Sequence, residues 1–384
     1  MKIAMLGTGA YALALSVSLS KNKENNIIMW TENDSLAKSF KETHELHIFD
    51  DYKDIPENIT LTSSFEEALK DADIIFLGCA AKFVGSVCDG IKPYYKKDTP
   101  ICIASKGIED HTRKFLSDII MEKLDTNKVA VLSGPTFAID IIHDDPIALT
   151  LASKSSESSD EISETLACDK LKLRTTDDMI GVQICGSVKN IIAIASGMIK
   201  GLGYSESTLA FLINESLHEI KHLIDGLGGK KYTILSYAGV GDLLLTCTST
   251  KSRNYSFGYL VGSTKDKEKA DEFLKTHTVE GFYALSSIHK LAEEKGINVP
   301  IINIIYDIIM NGADPNTLMK FLVENVENTH EENKKYTAIG TEVCNNYFYT
   351  LSQEDIDYSS FFTTFVDQCS DDIQRVNRKN NYSN

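Results

Sequence analysis

The hydrophobic pattern of the chain changes character near residue 177. Before this point, short apolar runs alternate with amphipathic stretches. Apolar runs of this length are typical of strands buried on both faces, and the stretches between them have helical spacing. We predict strands at Ile3–Leu6, Ile27–Trp30, Ile74–Leu77, Ile101–Ala104 and Val129–Leu132. Strands that alternate with helices predict a parallel, doubly wound α/β sheet.

Helical spacing dominates the rest of the chain. In the first part we predict helices at Phe65–Lys70 and Arg113–Leu124, and a surface loop that runs into a helix over 154–164. After residue 177 the strand pattern fades, and we predict helices at 179–199, 207–225, 267–275, 283–295 and 301–311. From about Asn328 the chain becomes polar, and we expect part of this extension to be disordered.

Composition narrows the possible partners. The net charge is −16, which argues against nucleic acid and anionic membranes as partners. An anionic substrate would need a local basic cluster. The eight cysteines form no CxxC pair, and several lie in apolar runs, as expected of buried thiols in a reducing compartment. Ile3–Ser20 lacks charge like a signal peptide, but its glycines fit a strand-to-helix junction better, so we expect a cytoplasmic protein.

A glycine-rich segment follows the first predicted strand and opens an apolar helix. In this segment Gly7 permits a tight turn, Gly9 lets the backbone approach a diphosphate, and Ala12 is small enough for close packing of strand and helix. The helix N-terminus offers free N–H groups to the phosphates. Alone this motif is weak, but its place at the start of an α/β pattern predicts a Rossmann-type dinucleotide-binding domain.

An acidic residue follows the second predicted strand. Glu32 can bind both ribose hydroxyls and would repel a 2′-phosphate, which favours NAD over NADP. Alternatively, Glu32, Asn33 and Asp34 only cap and charge the next helix.

Lys189 is the only charged residue in the predicted helix 179–199. Desolvation would lower its pKa towards the range useful for proton transfer, whereas an ordinary lysine would reach solvent. Lys106 follows the strand Ile101–Ala104, at the sheet edge where α/β folds bind ligands.

Two polar positions of the second part have both a functional and a structural interpretation. Asp242 lies between two glycines and an apolar run, and it either caps a helix or balances a catalytic lysine. Arg253 and Asn254 can bind a phosphate, or Arg253 is a solvated surface charge. The HExxH pattern of His218, Glu219 and His222 has no third ligand at a suitable spacing, so we predict no metal site.

Together and in this order, these residues resemble the NAD-dependent glycerol-3-phosphate dehydrogenase family. The resemblance runs from residue 1 to about 325 and rests on the segments Gly7–Ala12, Ser105–Gly107, Ser133–Ala138, Gly186–Asn190, Gly239–Thr248, Ser252–Asn254 and Val279–Gly281. It implies a dinucleotide-binding domain over 1–178, a helical substrate and catalytic domain over 179–327, and a C-terminal extension over 328–384. It also implies a cytoplasmic homodimer that acts on a phosphorylated triose, links glycolysis to glycerophospholipid synthesis, and uses NAD, with NADP as an alternative.

The resemblance assigns roles to individual residues. Lys189 is the implied general acid/base, with Lys106 and Asp242 completing the catalytic group. The implied substrate-binding residues are Lys106, Gly134, Thr136, Asn190, Thr246, Arg253 and Asn254. The implied cofactor-binding residues are Gly7, Gly9, Ala10, Tyr11, Ala12, Glu32, Phe83, Lys106, Ala138, Arg253 and Glu280.

The chain departs from the family pattern at two places. The family's Val-Pro-Ser/His segment before Phe83 is replaced by Gly78–Lys82, and its Gly-x-Asn segment by Ser205–Ser207, with Leu209 where a basic residue is usual. Two other functions remain open from the sequence. One is a hydroxyacid dehydrogenase or ketopantoate-type reductase of the same architecture, and the other is a catalytically inactive NAD-binding sensor.

Overall fold

The computed structural model describes residues 1–50, 52–109 and 112–324, and residues 1–322 form one compact unit. Ten strands are present among the described residues. They are β1 (Lys2–Leu6), β2 (Asn26–Trp30), β3 (Glu45–Phe49), β4 (Tyr52–Asp54), β5 (Ile59–Thr62), β6 (Ile74–Leu77), β7 (Ile101–Ile103), β8 (Val129–Ser133), β9 (Ile147–Ser153) and β10 (Leu171–Thr176). The predicted C-terminal extension, residues 328–384, lies outside the described residues.

Eight strands form one twisted sheet in the order β10-β9-β8-β7-β6-β1-β2-β5, and β3 and β4 form a separate hairpin. The six strands β5, β2, β1, β6, β7 and β8 are neighbours in the sheet and all run parallel. β9 runs antiparallel to β8, and β10 runs parallel to β9. The order reverses between β1 and β6, so the cleft at the carboxyl ends of these strands is the expected ligand site.

The alternation of side chains along β1 builds a core on each face of the sheet. Ile3 and Met5 join one buried cluster, whereas Ala4 and Leu6 join the other. This is why the strand is apolar at every position rather than at every second one.

Helices cover both faces of the sheet and form the second half of the chain. The sheet domain carries α1 (Ala10–Ser20), α2 (Asp34–Thr43), α3 (Phe65–Leu69), α4 (Val84–Ile91), α5 (Leu116–Leu124), α6 (Ala138–Ile142) and α7 (Ser156–Leu166). The helical domain contains α8 (Met179–Gly201), α9 (Glu206–Gly226), α10 (Asp242–Thr248), α11 (Arg253–Thr264), α12 (Lys267–Thr276), α13 (Glu280–Lys295), α14 (Pro300–Asn311) and α15 (Asn316–Glu324).

The central helix of the helical domain is α8. Among the described residues it is the one helix long and apolar enough to cross a membrane, but 94% of its most apolar stretch is buried inside the fold. It begins at the buried Asp178, whose carboxylate accepts the backbone N–H of Gly181. Residues of α9, α11, α13 and α14 join the same core. The apolar character of α8 therefore reflects its place at the centre of this domain.

The predicted fold class is confirmed, with corrections at the margins. The sheet is not purely parallel, because β9 and β10 reverse direction at its edge. The helix predicted from Arg113 begins only at Leu116, since Arg113 adopts a left-handed φ of 56° that cannot continue a helix. The strands β3, β4, β5, β9 and β10 and the helices α4, α6, α11 and α15 were not predicted.

Candidate active site

Two lysines from different domains share one buried carboxylate. Lys106, in the loop after β7, donates to one oxygen of Asp242 at 2.7 Å. Lys189, in the middle of α8, donates to the other oxygen at 2.5 Å and to the hydroxyl of Thr246 at 3.0 Å. Lys189 is 7% exposed and Asp242 is 1% exposed, so these charges interact with little solvent screening.

The local sequence explains how the carboxylate reaches this position. Asp242 is the first residue of α10, and Thr246 lies one turn later on the same face. An unusual backbone at Gly239, with φ −87° and ψ −111°, leads into the helix. A Cβ on Gly239 would lie 2.1 Å from the carbonyl oxygen of Ile234, so only glycine fits there. The carboxylate therefore forms an ion pair with each of two lysines instead of capping the helix.

The loop that carries Lys106 is anchored in both domains. The hydroxyl of Ser105 donates to the carbonyl of Leu77 at 3.1 Å, at the end of the neighbouring strand β6. Two residues after Lys106, Ile108 is buried in the core of the helical domain. The ammonium of Lys106 is thereby held between the two domains.

Burial and charge shift the pKa values of the two lysines in opposite directions. Burial lowers the pKa of Lys189 to about 8, and the positive charge of Lys106 adds to this effect while Asp242 opposes it. Burial also disfavours the charged form of Lys106, but the carboxylate of Asp242, with smaller contributions from Tyr11 and Lys189, raises the pKa of Lys106 above its ordinary value. Lys189 is therefore the member of the pair that loses its proton first as the pH rises.

A second hydrogen-bond network joins α8, α11 and α13 next to Lys189. The side-chain amide of Asn190 donates to Glu280 at 3.1 Å and accepts from the amide of Asn254 at 2.9 Å. The side-chain oxygen Oδ1 of Asn254 accepts the backbone N–H of Gly281 at 2.9 Å. These contacts fix the N-terminal ends of α11 and α13 beside the lysine.

The glycine-rich loop fits a diphosphate. Gly7 has φ 129° and a Cβ there would lie 2.8 Å from the backbone of Gly78 and Cys79, so the fold itself requires a glycine. Gly9, the N-cap of α1, has an ordinary φ of −69°, and a Cβ there would meet nothing within 4 Å. The fold therefore does not require a glycine at residue 9, and the space above it is open for a ligand to approach the backbone.

Three buried hydroxyls in the same region have no hydrogen-bond partner among the described residues: those of Tyr11, Ser133 and Thr136. The ring centre of Tyr11 lies 5.9 Å from the ammonium of Lys106. A Cβ on Gly186, one turn before Lys189, would lie 3.4 Å from the Ser133 hydroxyl. Burial raises the pKa of Tyr11, so its hydroxyl stays protonated. Unsatisfied buried hydroxyls are costly and are expected where a polar ligand completes them.

Arg253 begins α11 and is exposed. It makes no ion pair with any residue that the structure describes. The preceding Lys251 contacts the other side of the cleft, where its ammonium lies 3.1 Å from Asp140 and 5.7 Å from the ring centre of Phe137. The start of α11 therefore presents a free guanidinium and free backbone N–H groups beside the sheet domain.

Two family models cover most of the chain. The model for the NAD-dependent glycerol-3-phosphate dehydrogenase N-terminus matches residues 2–159, and the model for the C-terminus of the same family matches residues 178–320. The chain belongs to the NAD-dependent glycerol-3-phosphate dehydrogenase family. The resemblance expected from the sequence is thus confirmed.

Individual relatives agree with this family. A glycerol-3-phosphate dehydrogenase (NAD(P)+) of Clostridium botulinum is 33% identical over 314 residues, which cover 82% of this chain and 94% of that protein. The corresponding enzyme of Vibrio parahaemolyticus is 33% identical over 312 residues, 81% of this chain and 90% of that protein. The crystal structure of the Coxiella burnetii glycerol-3-phosphate dehydrogenase has a TM-score of 0.79 at 30% identity, covering 84% of this chain and 99% of that one.

Several positions that the family resemblance implied make no hydrogen bond or ion pair with Lys106, Lys189 or Asp242 in the part of the chain that the structure describes. Ala10 and Phe83 are exposed, at the start of α1 and just before α4. Glu32 is exposed after β2, and Asn33 rather than Glu32 caps α2 by accepting the backbone N–H of Leu36. Gly134, just after β8, is buried, and Ala138, the first residue of α6, is partly buried. These positions surround the cleft at the carboxyl ends of the strands.

The residues that depart from the family pattern have structural roles in this chain. Ser205 caps α9 by accepting the backbone N–H of Thr208, and Leu209 is buried in the core of the helical domain. A Cβ on Gly78 would lie 2.6 Å from that of Ala12, so the substituted segment packs closely on α1. Glu219 of the HExxH pattern accepts the backbone N–H groups of Ile301 and Ile302 and thereby caps α14.

The sequence interpretation overlooked a close crossing of α8 and α11. A Cβ on Gly197 would lie 2.0 Å from the carbonyl oxygen of Tyr255, and one on Gly258 would lie 1.9 Å from that of Ile194. Gly201 and Gly262 make equivalent approaches one turn further along each helix. The signal was present as two glycine pairs with a spacing of four residues, which lets helix backbones touch.

Proposed function

We propose that this protein interconverts sn-glycerol 3-phosphate and dihydroxyacetone phosphate by hydride transfer with NAD(H), with Lys189 as general acid/base. The observation that carries the proposal is the pairing of Lys189 with Asp242 inside the fold, with Lys106 on the second oxygen of the same carboxylate. A buried ammonium whose pKa is lowered can exchange a proton near neutral pH. The family to which the chain belongs carries out this class of reaction.

Residues of the sheet domain would hold the cofactor. Gly9 and the N-terminus of α1 would bind the diphosphate, and Glu32 would bind ribose hydroxyls, which favours NAD over NADP. When bound, NAD(H) accepts or supplies the hydride. Two observations support binding of the cofactor here: a Cβ on Gly9 would meet no atom within 4 Å, and the buried hydroxyl of Tyr11 has no hydrogen-bond partner among the described residues.

Lys189 and Lys106 would have different roles: Lys189 would transfer the proton, and Lys106 would stay charged. In ketone reduction Lys189 donates its proton to the oxygen that becomes the alcohol, and in alcohol oxidation the neutral amine accepts it. Lys106 keeps its proton because Asp242 raises its pKa, so Asp242 stays paired after Lys189 becomes neutral. The charged Lys106 can also donate to substrate oxygens, together with the unpaired hydroxyl of Thr136.

The phosphate would bind at the start of α11. Arg253 supplies a free guanidinium that can bind phosphate with two hydrogen bonds, and the backbone N–H groups of the first turn add to it. The side chain of Asn254 already bonds to Asn190 and Gly281, so its contribution to phosphate binding would come from its backbone.

We also propose a cytoplasmic homodimer with a role between glycolysis and glycerophospholipid synthesis. The free thiols of the described cysteines, four of them buried, suit a reducing compartment. The net charge of −16 disfavours nucleic acid and anionic membranes as partners.

The deciding experiment is an NADH oxidation assay with dihydroxyacetone phosphate, compared with a panel of other phosphorylated ketones and of 2-keto acids. We expect dihydroxyacetone phosphate to be the best substrate and NADH to be preferred over NADPH. Activity confined to 2-keto acids would favour a hydroxyacid dehydrogenase instead. NADH binding without turnover of any ketone would favour a sensor.

The variant Lys189→Met tests the assignment of Lys189 as the proton donor. Because the general acid would be lost, we expect turnover to fall by about 10²–10⁴-fold while NADH binding is retained. Unchanged turnover would remove Lys189 from the mechanism.

A further inference from the structure

Lys82 connects two aromatic rings that belong to different domains. Its ammonium lies 4.9 Å from the ring centre of Phe83 and 5.8 Å from that of Tyr283. Both distances lie within the range of a cation–π contact. Phe83 and Tyr283 are each 42% exposed, which is high for aromatic side chains, so the three groups form an open cluster rather than part of a core.

The cluster lies at the edge of the cofactor cleft. Lys82 belongs to the 3-10 turn Ala81–Phe83 after β6, and the same loop begins at Gly78 and Cys79, whose backbone touches Gly7 of the glycine-rich loop. On the other side, Tyr283 lies one turn after Glu280 in α13. Glu280 in turn accepts a hydrogen bond from Asn190, the neighbour of Lys189. The cluster therefore joins the diphosphate-binding loop to the helix beside the proton donor.

The charge of Lys82 is not neutralised within the described structure. Lys82 is exposed and forms no ion pair with any residue among those described. In a chain with a net charge of −16, a free ammonium beside the glycine-rich loop is a local attraction for an anion. Lys82 also lies in the segment 78–82, where the sequence departs from the family's Val-Pro-Ser/His pattern.

We propose that Lys82 is a positioning residue for the dinucleotide. Its ammonium attracts the diphosphate and holds Phe83 and Tyr283 together across the cleft, so that the two domains present one continuous surface to the cofactor. This inference rests on the proposed function, because it takes a nicotinamide dinucleotide as the ligand. It adds a residue that neither the glycine-rich motif nor the lysine pair includes.

The test is the dissociation constant of NADH, measured by fluorescence with the full chain, for Lys82→Met and Lys82→Arg. Because Lys82→Met removes both the charge and the cation–π contacts, we expect weaker NADH binding by about three- to tenfold, with a smaller effect at high salt. Lys82→Arg keeps the charge and the stacking, so binding should stay within about twofold of the native value. Lys92→Met removes the same charge at the far end of α4 and should leave binding unchanged.

A double-mutant cycle with Tyr283→Leu tests the contact between the domains. If Lys82 acts through Tyr283, Tyr283→Leu should weaken NADH binding, and its effect should largely disappear when Lys82 is already methionine. Thermal unfolding of each variant checks that the fold is retained. The turnover number at saturating NADH should change little, since the effect is on cofactor binding.

Three results would overturn the proposal: NADH binding by Lys82→Met at the native value, an equal loss with Lys92→Met, or fully additive effects in the cycle. The proposed reaction can fail separately. If the native protein binds NADH but does not reduce dihydroxyacetone phosphate, the reaction is wrong, while the binding measurements still decide the role of Lys82. A native protein that does not bind NADH would overturn both.

Discussion

Lys106 and Lys189 come from different domains and donate to opposite oxygens of the same carboxylate. Removing a proton from one lysine leaves the other as the counter-charge for Asp242. The buried acid is then never left without a partner, which would be costly. This arrangement would let Lys189 change its protonation state inside the fold, and the proposed catalytic group would then depend on both domains.

The pH dependence of the reaction should follow the lowered pKa of Lys189. Below about pH 8 Lys189 carries the proton that ketone reduction needs, and above it the neutral amine can accept the proton released in alcohol oxidation. We therefore expect kcat/KM for reduction to fall, and that for oxidation to rise, through this pH. Initial-rate profiles in both directions measure this.

Asp242→Asn checks the cause of the pH effect. The carboxylate opposes the lowering of the pKa of Lys189, so its removal should move the inflection to lower pH and also destabilise the fold. An inflection that moves to higher pH, or profiles without any inflection, would contradict the assignment.

Arg253→Ala should weaken the reaction through loss of the phosphate contact. We expect kcat/KM for dihydroxyacetone phosphate to fall by an amount equivalent to about 2–5 kcal/mol of transition-state binding. Dihydroxyacetone, which has no phosphate, is the matched control, and its slow reduction should be unaffected. An equal loss with both substrates would show that Arg253 acts on something other than the phosphate.

Gly9→Ala should weaken NADH binding without destabilising the fold. The added methyl group would meet no atom within 4 Å, and the backbone at residue 9 has a φ that alanine readily adopts. The free energy of unfolding should therefore be nearly unchanged. We expect NADH binding to weaken by about an order of magnitude, because the methyl group occupies the approach to the diphosphate. Gly7→Ala is the contrast: its Cβ would clash with Gly78 and Cys79, so it should destabilise the fold itself. Native affinity in Gly9→Ala would exclude the loop as the diphosphate site.

Gly258→Ala should destabilise the helical domain. Its Cβ would lie 1.9 Å from the carbonyl oxygen of Ile194, so α8 and α11 must separate, at a cost of about 1–3 kcal/mol or more in the free energy of unfolding. Gly85→Ala is the control, because the nearest atom to its Cβ is the Lys123 Cε at 3.7 Å and alanine favours a helix. Denaturant unfolding of both variants tests this, and equal stability would contradict a close crossing.

The sequence predicted the parts of the fold that depend on local pattern. The fully apolar run of β1 and the periodic helices of the second half were recognised because each is buried in a regular way. The strand β10 was missed because it is largely exposed and mixes Lys172 and Arg174 with apolar residues. The reversed direction of β9 depends on its pairing with β8, which no local pattern records.

The site was predictable as a set of residue types but not as a geometry. Lys189 was recognised because it is the one charge in an apolar helix. Its sharing of Asp242 with Lys106 joins residues 53 and 136 positions apart in the chain, and only the packing of the domains brings them together. Lys82 was noted as a departure from the family pattern, but its contact with Tyr283 could not be inferred without the fold.

The glycine crossing of α8 and α11 limits how this enzyme could change its substrate. The two helices meet backbone to backbone, and they carry Lys189 and Arg253 respectively. At these four glycines there is no side chain to shorten, and a longer one would push the helices apart. A preference for a longer phosphorylated ketone would therefore have to evolve through the loops at the sheet edge. The helix pair keeps the distance between Lys189 and Arg253 constant.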